Sequence, residues 1–132
     1  MKYFTIEELC RSDTARRKGI ANTPSEAVIG NLRALVDNVL DPLREWYGKP
    51  IRVTSGFRCK ALNKAVGGVP NSEHMSGYAA DIDVGSKEEN RELYKWIADN
   101  CQFTQLIWEH GGEWVHVSYN RRNLKNQVLR IG

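Results

Sequence analysis

The chain has 132 residues, enough for one domain with one core. Its 19 basic and 16 acidic residues leave a net charge of +3, too weak to argue for nucleic-acid binding but suited to contact with an anionic polymer. No run approaches the ~20 apolar residues of a membrane span, so neither nucleic-acid binding nor membrane insertion is expected. The start, Met1-Lys2-Tyr3-Phe4-Thr5-Ile6-Glu7-Glu8, has acids where a secretory leader has its apolar stretch, so synthesis in the cytoplasm without a signal peptide is expected. Cys10, Cys59 and Cys101 are odd in number and match neither a CxxC pair nor a zinc knuckle. They read as free thiols of a reducing compartment, with one disulfide plus one thiol as the alternative.

Thr5-Ile6-Glu7-Glu8 pairs a capping threonine with a glutamate three residues on, a capping box for a short helix. Thr23 can cap a second helix, with Pro24 suited to its first position. Ile29, Leu32, Val36, Val39, Leu40 and Leu43 then recur at helical spacing. Pro42 kinks this helix or starts its last turn, and Gly48 and Pro50 end it. Trp46, late on that helix, is expected in the core, and Trp96, Trp108 and Trp114 in core or cleft walls. Residues 51–54 alternate as a strand, 59–66 read as a short helix and 66–71 as a loop. Residues 79–84 form a second strand, and a helix begins at Ser86 with Leu93, Trp96 and Ile97 as its apolar face. Residues 103–109 and 113–119 make a hairpin across His110-Gly111-Gly112, where glycine supplies positive φ. The order predicts an α+β fold, a small and largely antiparallel sheet with flanking helices, in a single domain over 1–132.

Chemistry concentrates in Ser72-Glu73-His74-Met75-Ser76-Gly77-Tyr78-Ala79-Ala80-Asp81 and in Glu113-Trp114-Val115-His116. Strand alternation puts Ile82 and Val84 on one face and Asp81 and Asp83 on the other. It likewise turns Val115 and Val117 inward and His116 and Ser118 outward. Two adjacent strands could then present Asp81 and His116 together. Gly77 lets the loop fold His74 over them. Two imidazoles and a carboxylate are the donor set of a catalytic zinc ion, which also needs a base beside its open position. Glu113 is the candidate base. Three residues before His116, it reaches the same side only through a twist or bulge after Gly112. Glu109 and His110 are rivals to Glu113, and Asp83 is a rival to Asp81. Arg58 leaves a strand end through Ser55-Gly56-Phe57, where a forked guanidinium could hold a substrate carboxylate or carbonyl.

Ser55-Gly56-Phe57-Arg58, Ser72-x-His74-x-x-Gly77-x-Ala79-x-Asp81 and Glu113-Trp114-Val115-His116 stand in the motif order of the M15 zinc peptidases, which the chain resembles over residues 3–122. That family holds D-Ala-D-Ala carboxypeptidases, dipeptidases and L-alanyl-D-glutamate endolysins. The likeness is closest to its compact M15A-like members and implies the fold shared by DD-peptidases and the Hedgehog signalling domain. It also implies Zn2+ on His74, Asp81 and His116, Glu113 as the general base, Arg58 as the group that polarises or holds substrate, and Ser72 as a hydrogen-bonding partner for it. Some members carry a second histidine just before the last metal ligand; Trp114 stands there in this chain. The implied activity is hydrolysis of peptide bonds in peptidoglycan stem peptides, as a carboxypeptidase or an endopeptidase of endolysin type. The implied protein is a monomer, released to the cell wall through a holin-made hole in a phage or prophage setting. The alternatives are a non-catalytic zinc module that binds protein, as in Hedgehog, and a virion assembly protein.

Overall fold

The structure is a computed structural model describing residues 1–132. Six α-helices and five strands follow in the order α1 (Ile6–Cys10), α2 (Asp13–Lys18), α3 (Glu26–Leu35), α4 (Asp41–Tyr47), β1 (Arg52–Ser55), α5 (Lys60–Ala65), β2 (Ala79–Asp83), α6 (Lys87–Asn100), β3 (Gln105–Glu109), β4 (Trp114–Ser118) and β5 (Gln127–Ile131). This is the expected α+β architecture.

Local chemistry explains most boundaries. The Thr5 hydroxyl accepts the Glu8 N–H at 3.1 Å and starts α1. Ser12 caps the unpredicted α2 through the Ala15 N–H, and Gly19 closes it in a left-handed conformation at φ 66°. The α3 helix starts two residues later than expected. Ser25, not Thr23, accepts the Val28 N–H and acts as the cap, consistent with serine being the better capping residue. Between α3 and α4 the chain widens into a π-helical stretch, Val36–Leu40, immediately before Asp41-Pro42. Proline has no N–H to donate and its ring would crowd the carbonyl four residues back, so a wider turn accommodates it. The extra residue shifts the helical phase. Leu43 stays fully buried, while Trp46 turns outward to 47% exposure against the expected core position, stacked on Trp96 at 5.4 Å.

The sheet order is β1-β2-β4-β3-β5. Its first three pairings are antiparallel, while β5 joins the edge parallel to β3. The β5 strand went unpredicted: it is a largely exposed edge with only Gln127 and Leu129 partly covered, so it shows no clean alternation. Ile82, Leu106, Trp108, Val115 and Val117 face the helices and share one core with Leu9, Leu32, Leu43, Leu93 and Ile97. The opposite face of β2 and β4 carries the polar side chains. Asp81 pairs directly with His116 in the β2–β4 register. No helix is long and apolar enough to cross a membrane. All three cysteines are free and partly buried, and burial pushes the Cys10 and Cys101 thiols up to about 11, which keeps them as unreactive thiols.

Candidate metal centre

The 3-10 turn Glu73–Ser76 carries His74 over the open face of the sheet. Ser72 starts the turn by accepting the His74 N–H at 3.2 Å, and Gly77 ends it at φ 76°. A Cβ on Gly77 would lie 2.8 Å from the Val28 carbonyl oxygen, so this turn also needs glycine to pack on α3. The ring is held from behind: Nδ1 donates to the Gly56 carbonyl at 2.8 Å. That bond selects the tautomer with its proton on Nδ1 and leaves Nε2 as a free donor atom. Nε2 lies 3.4 Å from Asp81 Oδ1. Gly56 itself is wedged against α1, where a Cβ would come 2.1 Å from the Leu9 carbonyl oxygen. Its amide neighbour Phe57 donates to that same carbonyl at 2.8 Å. The Ser55-Gly56-Phe57-Arg58 motif therefore orients a ring eighteen positions away.

His116 Nδ1 lies 3.0 Å from Asp81 Oδ1. One donor atom each from His74, Asp81 and His116 falls within a mutual 4.8 Å, and all three residues are buried. Burial alone would raise the Asp81 carboxyl. The hydrogen bond with His116, together with the neighbouring His74 imidazole, outweighs it and holds Asp81 well below the usual carboxylate range. Burial disfavours a charged His116, yet the Asp81 and Glu73 carboxylates outweigh that and push it up to about 9. Glu73 Oε1 is buried without a hydrogen-bond partner and sits 4.0 Å from His116 Nε2, an ion pair across a gap rather than a hydrogen bond.

The raised His116 value has a consequence for the metal-free protein. A group whose pKa is higher in the folded state than its unfolded ~6.5 stabilises the fold fully below that value, and the contribution is lost as pH rises through about 9. The urea midpoint of EDTA-treated protein should therefore be lower at pH 9.5 than at pH ~6.5; an equal midpoint would show that His116 does not hold its extra proton in the fold.

Arg58 reaches the site from the exit of β1. Its Nε donates to Ser55 Oγ at 3.0 Å, Nη1 to Asn63 Oδ1 at 3.2 Å, and Nη2 lies 3.7 Å from Asp81 Oδ2. Asn63, buried on α5, also donates to the Val69 carbonyl at 2.8 Å and so ties the 66–71 loop to the guanidinium. Glu113 follows the 3-10 turn His110–Gly112 in a helical conformation, φ −64° and ψ −31°. The strand proper starts at Trp114, so alternation does not govern Glu113, and it lines one cavity with Asp81. That cavity, about 610 Å³, also touches Lys87, Asn90 and Trp114. A second, about 470 Å³, is lined by Arg58, Ser72, Glu73, Glu109, His116 and Lys125 among others.

The rivals separate. Asp83 is taken up by Arg52 at 2.9 Å, Asn90 at 2.9 Å and the Gly85 N–H at 2.9 Å. His110 is exposed and stacks on Trp114 at 4.5 Å. Glu109 lines the second cavity, with His116, rather than the first. Sequence reasoning missed Glu73, Asn63 and Asn90. Asn90 left a trace: it falls on the apolar stripe of α6 with Leu93, Tyr94 and Ile97, where a buried amide is out of place.

Two neutral-capable imidazoles and one carboxylate, buried and converging on an open cleft, have the donor chemistry for a single divalent ion with a free coordination position. Fold and donor set together define the class as a small α+β protein with a site suited to one metal ion. A family model described as Peptidase M15 matches residues 2–118, and the chain belongs to that family. A zinc D-Ala-D-Ala carboxypeptidase of Streptomyces albus G is 42% identical over 88 residues, which cover 64% of this chain and 32% of the relative. The matched segment thus spans about a third of that relative's length.

Proposed function

We propose that this chain is a zinc-dependent peptidase that hydrolyses peptide bonds in the stem peptides of peptidoglycan, as a carboxypeptidase or an endopeptidase. The observation that carries this reading is the buried convergence of His74, Asp81 and His116, with Asp81 lining the same cavity as Glu113. The zinc carboxypeptidase relative supports the metal and the substrate chemistry. Zinc, held by His74, Asp81 and His116, would act as a Lewis acid toward the carbonyl oxygen and toward water.

The chain's own residues do the rest. Glu113 accepts the proton of the attacking water and returns it to the leaving amine. Arg58, with Nε and Nη1 already engaged, keeps its remaining N–H groups for the developing negative charge of the substrate. Ser72 Oγ uses a lone pair on the His74 N–H and keeps its own proton to donate to the bound peptide.

The test is to incubate zinc-loaded and EDTA-stripped protein with purified peptidoglycan and soluble stem peptides and to read products by mass spectrometry. Metal-dependent hydrolysis products are the expected result. A released terminal D-Ala would name a carboxypeptidase, and a cut within the stem or at a cross-link an endopeptidase. No product across several wall chemistries from folded, zinc-replete protein would move the assignment to a zinc-binding module without catalysis.

A further inference from the structure

We infer that Asn90 is a positioning residue that holds the turn carrying Glu113 against the end of the Asp81 strand. The inference rests on the reading of Glu113 as the base.

Asn90 is 1% exposed and sits on α6, at the wall of the cavity that Asp81 and Glu113 line. Its Oδ1 accepts the Val84 N–H at 2.9 Å, just past the end of β2. Its Nδ2 donates to Asp83 Oδ1 at 2.9 Å and to the Gly112 carbonyl at 2.9 Å, with the Glu113 carbonyl also in reach at 3.3 Å. One side chain thus clamps both halves of the candidate site: the strand that presents Asp81 and the backbone unit that presents Glu113.

The turn needs such a clamp. His110, Gly111 and Gly112 all have positive φ, at 49°, 67° and 97°, and such a run is intrinsically loose. Glu113 donates its own N–H to the Glu109 carbonyl at 3.2 Å, which closes the turn on itself but does not relate it to β2. The Glu113 side chain is exposed and makes no hydrogen bond within the protein, so its backbone sets where the carboxylate can go. An apolar residue would satisfy the α6 stripe, and a buried amide there is disfavoured unless every polar atom is paired. Here all of them are, and two of the acceptors belong to the Glu113 turn.

The test is a double-mutant cycle on zinc-loaded protein, with kcat expressed per zinc-occupied site and zinc affinity measured separately. N90D keeps the size of the side chain but turns a donor into a carboxylate facing Asp83 and two carbonyls. It should lower kcat on the order of a hundredfold, as a misplacement of about 1 Å does, with zinc affinity and KM within about threefold. In an E113Q background the same substitution should cost little more, because the group it positions is already gone. An equal loss in both backgrounds, or full kcat per site in N90D, would overturn the inference. Should N90D fail to fold, N90A, which buries no charge, is read through the same cycle. The two readings fail separately. A dead E113Q beside an unaffected N90D removes only Asn90's role, whereas an E113Q as active as the parent removes the base itself.

Discussion

Glu113→Gln is expected to bind zinc as the parent does and to lose turnover by about 10²–10⁴-fold, the usual worth of a positioned general base. The change is nearly isosteric, and Glu113 is exposed with no hydrogen-bond partner inside the protein, so nothing in the fold depends on its charge. It is also not among the three donor atoms that converge within 4.8 Å. The amide cannot take a proton from water, so kcat should fall while KM and zinc affinity hold. Measuring kcat/KM on a soluble stem peptide, with zinc content by atomic absorption on the same samples, checks this. Retained turnover would shift the role to Glu109, which lines the second cavity with His116.

His116→Ala is expected to weaken zinc binding by on the order of a thousandfold, about 4 kcal/mol at 1.4 kcal/mol per tenfold. Two ligands remain, and neither is held as before. Asp81 loses its 3.0 Å partner, and with it the strongest of the hydrogen bonds that keep its carboxyl low. The fold should survive, because Val115 and Val117 remain fully buried on the core side of the same strand. Competition against a chromophoric chelator measures the affinity. A second readout is thermal: zinc stabilises whatever state binds it, so the zinc-induced rise in Tm should vanish in the variant. Full zinc occupancy at matched metal and chelator concentrations would break the ligand assignment.

Much of this site was legible because its signals are local. Residues two apart on a strand share a face whatever the strand packs against, so Asp81 and His116 could be put on the polar side of β2 and β4 from alternation alone. The turn residues around Gly77 and Gly112 were legible for a similar reason, since positive φ is a single-residue property. The α+β class followed from periodicity in the same way, though the short α2 and the exposed edge strand β5 escaped it. The Thr23 cap and the core position of Trp46 failed where two local signals compete or where one extra residue in a π turn shifts the phase of all that follows.

By itself, then, the sequence determined the donor types, their spacing and the face each strand would show. Only the tertiary structure decided how those pieces meet. The Gly56 carbonyl behind His74, the Asn63 amide behind Arg58 and the Asn90 amide behind the Glu113 turn join segments that share no local pattern. The parallel pairing of β5 with β3 is equally non-local. Such contacts depend on register and packing between distant parts of the chain, and a buried polar side chain carries no periodic mark of which distant group it will satisfy.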